Sequence, residues 1–184
     1  MNQFLKESAL THKYKIIAPQ IELNVVKGAS LSSGKGQKLL WILPDASQEL
    51  KRALEIIAFC FKSEMRFDWI QYAPNEHVDD SCIGFIIIQQ NRARTREFDF
   101  KLDKLNIQPH YVIGGGCFRK IFNNEMQLDF IWLHPYDRHR GVMQAVWKKL
   151  KIKFDKFELA KPVSSSMTRF IEMNKNYGTK NALS

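Results

Sequence analysis

The chain has 184 residues, 45% of them hydrophobic and 26% charged, which fits a single domain with its own core and excludes a disordered chain. Its longest apolar runs, such as residues 83–88, fall far short of the ~20 residues that span a bilayer, and charged residues interrupt residues 1–15, so a cytoplasmic protein without a membrane partner is expected. The formal net charge of +9 favours polyanionic partners without choosing among nucleic acid, an acidic protein and a phosphate-rich cofactor.

Residues 1–37 read as an N-terminal extension with a strand over 20–26 and a Gly/Ser-rich loop over 28–36. Gly34-Lys35-Gly36 lacks the spacing and the ending of a P-loop. Residues 38–43 form an apolar strand, after which Asp45 or Ser47 caps a helix with Ala53, Leu54, Ile57, Ala58 and Phe61 at helical spacing. The almost unbroken β-branched run 82–89 predicts a central strand buried on both faces, and residues 90–108 a charged connection. A strand over 110–121 contains Gly114-Gly115-Gly116, which marks either a bulge or a close backbone approach. In the next strand, 127–133, Leu128, Phe130 and Trp132 alternate against Gln127, Asp129 and Ile131 until Pro135 stops it.

Val142, Ala145, Val146, Leu150 and Ile152 place a helix over 141–154, with lysines toward its C-terminal end. A short strand over 157–160 and a serine-capped helix carrying Met167, Phe170, Ile171 and Asn174 on one side complete the pattern, followed by a polar tail, 175–184. This order predicts a mixed α/β (α+β) sheet flanked by helices, not a doubly wound parallel sheet. The three cysteines, Cys60, Cys82 and Cys117, are too widely spaced for a zinc knuckle and are expected to be reduced.

Chemistry concentrates in residues 131–143. There a buried strand ends at Pro135, turns through Asp137, Arg138, His139 and Arg140, and enters a helix through Gly141. A helix N-terminus presents unpaired N–H groups and a positive dipole end, glycine admits a close ligand, and two arginines add charge, so this is an anion site. His134, His139 and Asp137 lack further ligands at metal-binding spacing, and no metal is expected.

Arg138-His139-Arg140-Gly141-Val142-Met143 resembles the Gln/Arg-x-x-Gly-x-Gly/Ala motif of the GNAT superfamily of N-acetyltransferases, and Leu133-His134-Pro135 resembles the Val-x-Pro strand ending that precedes it. Met143 stands where the family has a small residue. The resemblance covers about residues 38–174 as the catalytic domain, with the family's last strand pair missing. It implies acetyl-CoA as co-substrate, held at its pyrophosphate by Arg138, His139, Arg140, Gly141, Val142 and Met143. Its pantetheine would lie along the main chain of Ile131, Trp132 and Leu133, with Ser165 at the start of the last helix. It further implies transfer of the acetyl group to an amine on a protein or small molecule, with Asp129, Glu125 or His134 as general base. The family's thiolate-protonating tyrosine is replaced by Phe170, so Ser165 or Ser166 substitutes, the thiolate leaves unaided, or the fold binds CoA without catalysis. Another class of function is nucleic-acid binding through Arg92 to Arg96 and the lysines of 148–156, with Trp132, Tyr136 or Phe118 stacking on bases. An oligomer is compatible with either reading.

Overall fold

The computed structural model describes residues 20–22, 29–30, 36–74, 82–90 and 109–174. The connection 91–108 with its arginines, most of the 28–36 loop and the polar tail lie outside the described residues.

Among the described residues seven strands form one sheet: β1 (Gln20–Glu22), β2 (Ala29–Ser30), β3 (Gln37–Ile42), β4 (Cys82–Gln90), β5 (Pro109–Lys120), β6 (Met126–Leu133) and β7 (Glu158–Leu159). Their order is β2-β3-β4-β5-β6-β7, with β1 on β5; all pairs are antiparallel except the parallel β6–β7 pair. Helices α1 (Gln48–Met65), α2 (Val142–Phe154) and α3 (Ser165–Asn174) complete a mixed α/β architecture.

The period-2 alternation of β3 and β4 sends Leu40, Ile42, Ile86 and Ile88 to one face, where they meet Ala53, Leu54, Ile57 and Ala58 of α1. Leu39, Phe85 and Ile87 go to the other face and meet Val142, Ala145, Val146 and Leu150 of α2. The unbroken apolar run of β4 follows from this sandwich, since both its faces are dry. Ser47 caps α1, accepting from the Leu50 N–H.

Two irregularities shape the middle of the sheet. Between β4 and β5 the register shifts at Ile87/Ile88, leaving Ile113 as an extra residue of β5. Between β5 and β6 it shifts at Cys117/Phe118, where Phe130 and Leu128 are the successive partners and Asp129 is the extra residue of β6. The second bulge corrects the alternation expected for 127–133. Leu128 packs in the α2 layer, whereas Phe130 and Trp132 pack in the α1 layer.

The triple glycine lies between the bulges because the sheet is too tight there for side chains. A Cβ on Gly114 would sit 2.6 Å from the Trp132 carbonyl oxygen, one on Gly115 2.6 Å from that of Phe85, and one on Gly116 2.7 Å from the Phe85 ring. The Sγ atoms of Cys82 and Cys117 meet across β4 and β5, their Cα atoms 6.7 Å apart. Cys60 is free, and burial followed by the nearby Glu64 charge pushes its thiol up to about 11. No described helix is long and apolar enough to cross a membrane.

Candidate functional site

β6 and β7 pair only at Gln127↔Glu158 and Leu128↔Leu159, after which Ala160 N–H donates to the Leu128 carbonyl at 3.0 Å. Beyond that point a cleft of about 190 Å3 opens between the two arms. Leu128, Asp129, Phe130 and Ile131 form one wall, Leu159, Ala160, Pro162, Val163, Ser164 and Met167 the other, and Phe61, Met65 and Phe67 close it from the α1 side. The split follows from the sequence: β7 is two residues long before Pro162 intervenes, while the bulge at Asp129 redirects β6.

The cleft is apolar apart from Asp129 and Ser164, the two lining residues whose side chains carry oxygen. Asp129 is mostly buried, and its Oδ2 accepts from Arg119 Nε at 3.0 Å across the β5–β6 pair. Ser164 Oγ accepts the Met167 N–H and caps α3. Ser165, expected from the sequence at the start of the last helix, is the exposed first residue of α3 and is absent from the cleft lining, which Ser164 joins.

Of the other proton-transfer candidates, Glu125 is exposed in the β5–β6 connection and does not reach the cleft lining. His134 is completely buried. Its Nδ1 accepts the Tyr136 N–H at 3.3 Å and lies 3.9 Å from Asp137 Oδ2, while its ring stacks on Tyr136 and meets Trp132 edge-on. It therefore holds the one-turn 3-10 segment Pro135–Asp137 in place and does not face the cleft.

The anion loop follows this turn. His139 and Gly141 both have left-handed backbone, at φ 58° and 78°, and Gly141 is the N-cap of α2 with no side-chain hydrogen bond to the helix. Nothing lies within 4 Å of a Cβ added at Gly141, so its positive φ, not crowding, is what calls for glycine. His139 and Arg140 are exposed beside the first turn of α2, Val142 is buried beneath it, and Met143 is half-buried against the α2 layer. The methionine's side chain thus points into packing, where a small residue was expected for backbone approach.

Arg138 behaves differently from the rest of the loop. Its Nε donates to the Leu133 carbonyl at 2.9 Å, its Nη1 and Nη2 donate to Glu64 at 2.7 and 2.6 Å, and its guanidinium lies 5.9 Å from the Trp132 ring centre. Glu64 also accepts the Trp132 Nε1–H at 2.8 Å. Burial pushes the Glu64 carboxyl up, but the hydrogen bonds from Arg138 and Trp132 and the guanidinium charge outweigh it and hold the group below its usual value. Glu64 was not among the residues expected at the site. It continues the 3-4 spacing of Leu54, Ile57 and Phe61 along α1, and an acid on an apolar stripe demands a partner.

The residues proposed to stack on bases do not present free rings. Trp132 and Phe118 are 2% and 0% exposed, and Tyr136 is stacked on His134. Among the described residues no group of three or more His, Cys, Asp or Glu side chains could hold a metal.

No protein-family model and no curated protein matches this chain. Three solved structures similar to it are acetyltransferases. The aminoglycoside acetyltransferase meta-AAC0020 from an uncultured soil metagenomic sample, in complex with trehalose, is 9% identical over 82% of this chain and 91% of its own, with a TM-score of 0.45. The same enzyme in complex with sisomicin is 10% identical over 76% and 88%, with a TM-score of 0.47. The ribosomal-protein-alanine N-acetyltransferase of Brucella melitensis biovar Abortus 2308 is 10% identical over 74% and 89%, with a TM-score of 0.43.

Proposed function

We propose that this protein is an acetyl-CoA-dependent N-acetyltransferase of GNAT type. The observation that carries the reading is the cleft between parallel strands β6 and β7, which pair for two residues and then part around apolar walls. The glycine-initiated helix α2 follows β6 after the 3-10 turn and the anion loop. A pantetheine arm needs an apolar slot and a strand edge for its amides, and beyond Leu128 no β7 residue pairs with β6. A pyrophosphate needs unpaired N–H groups, which the first turn of α2 supplies beside Arg140 and His139. The residues present fit both parts of the cofactor.

Acetyl-CoA supplies an activated acetyl group as a thioester. Asp129, at the bulge inside the cleft, takes the proton from the acceptor's ammonium group, and the freed amine attacks the thioester carbon. The main chain of β6 past the bulge donates to the developing oxyanion, a C–N bond forms, and the C–S bond breaks to release the CoA thiolate. Among the described residues no tyrosine, histidine or cysteine lines the cleft, so the second proton, which the acceptor nitrogen loses as the amide forms, reaches the thiolate through solvent or the Ser164 hydroxyl.

The same scarcity of proton donors favours a second reading, a CoA-binding fold without turnover. Thiol release from acetyl-CoA with lysine peptides, peptide N-termini and small amines separates the two. Amine-dependent release supports transfer; tight CoA binding with release no faster than buffer hydrolysis supports the second reading.

A further inference from the structure

The Arg138 guanidinium points away from the anion loop it begins. Both terminal nitrogens are directed at the carboxylate of Glu64 near the end of α1, and Nε is bonded to the carbonyl of Leu133. Three of its donors, out of the five an arginine carries, are thus engaged by other parts of the fold, at a half-buried position. The bidentate arrangement is the rigid one, with two parallel charge-assisted bonds fixing both partners in one plane. Trp132 adds to it, since its buried indole N–H has to find an acceptor and finds Glu64. The cluster therefore ties together α1, the end of β6 and the first residue of the anion loop.

We infer that Glu64 and Arg138 form a strut that positions the 139–143 loop, with Arg138 acting as a positioning residue and not as a phosphate ligand. This deepens the proposed function and rests on it where CoA is concerned. The strut fixes the loop's entry point relative to the cleft, so that the α2 amides and the β6 edge face one extended ligand. Phosphate contact is left to those amides and to the exposed Arg140 and His139. The chemistry distinguishes a strut from a ligand by sign. A phosphate-binding Arg138 would be released by loss of Glu64, and CoA would bind more tightly; a strut loses its anchor, and CoA binds less tightly.

Three variants test this: Glu64→Gln, Arg138→Lys and the double substitution. The first readout is hydrogen exchange of the 139–143 amides in ligand-free protein. The strut predicts faster exchange in each single variant, with the double variant no faster than either, because both changes sever one connection. Unchanged exchange, or additive changes, would overturn it. The second readout is CoA affinity at two salt concentrations. Each single variant should bind about tenfold more weakly, the equivalent of one charge-assisted hydrogen bond, with an unaltered salt dependence. Tighter binding by Glu64→Gln, or near-wild-type binding by Arg138→Lys, would make Arg138 a phosphate ligand and overturn the strut. If the unmodified protein does not bind CoA, the proposed function fails, and the exchange measurement alone decides the strut.

Discussion

Replacing Gly141 with alanine puts a methyl group into open space and a Cβ onto a backbone at φ 78°. With no atom within 4 Å of the new carbon, packing contributes nothing, and the whole effect is the left-handed conformation. That conformation costs an L-residue about 1–2 kcal/mol. The penalty emerges in one of two places. If the loop keeps its shape, the protein bears the strain and Tm falls by about 2–8 °C, taking ~2–4 °C per kcal/mol for a chain of this size. If the loop relaxes to negative φ, the first amides of α2 turn away and CoA affinity drops about 5–30-fold, the same energy expressed as binding. Thermal unfolding and CoA titration of the same preparation measure both. Asparagine, which enters the left-handed region more readily, should lose less than alanine in whichever quantity moves. A Gly141→Ala protein with wild-type Tm and wild-type affinity would refute the assignment of this glycine to conformation.

Gly116→Ala should destabilise by about 1–3 kcal/mol through overpacking, because its Cβ would meet the Phe85 ring and the Phe130 carbonyl oxygen; an unchanged melting curve would contradict this packing. Asp129→Asn should lower the rate of acetyl transfer while leaving CoA affinity nearly intact, and normal turnover would remove Asp129 as the base. Glu64 has a carboxyl held below its ordinary value near 4.5, so it contributes stability above that pH and loses it as pH falls through the depressed folded-state value. Glu64→Gln should accordingly flatten the acid limb of the stability–pH curve below about pH 4.5, and an unaltered limb would contradict the pairing with Arg138. Ser164→Ala removes the cap of α3 and should lower stability by about 1 kcal/mol, read as a small drop in Tm.

The fold was legible wherever a periodicity was long. The run at 82–89 declared a strand buried on both faces, and Ala53, Leu54, Ile57 and Ala58 declared the inner face of α1, because each pattern repeats what one surface requires. The bulge at Asp129 was not legible, since an extra residue in β6 exists only relative to β5 and carries no compositional mark. The face expected for Leu128 was therefore wrong, although the strand itself was found. The approach of Cys82 to Cys117 likewise depends on strand register, which spacing does not reveal. Three consecutive serines left the cap of α3 ambiguous, and the structure selects Ser164.

At the candidate site, the sequence located the loop and its glycine but not where the side chains go. Arg138 turns to α1 because a carboxylate 74 residues away is within reach, a fact of tertiary structure alone. His134 suits proton transfer near neutrality as a free side chain, yet here it is completely buried and supports a turn. The residues proposed for base stacking lost that role for the same reason, as Trp132 and Phe118 belong to the two core layers. The exposed lysines of α2, by contrast, remain on the surface where the charge pattern put them.

The most direct measurement is isothermal titration of the protein with CoA and acetyl-CoA at two salt concentrations, alongside single-stranded and duplex DNA. Saturable micromolar binding of both thiol and thioester forms, weakened by filling the cleft through Ala160→Trp, is the result predicted here. Absence of CoA binding, together with salt-sensitive binding of DNA, would contradict it and make the basic surface the functional feature.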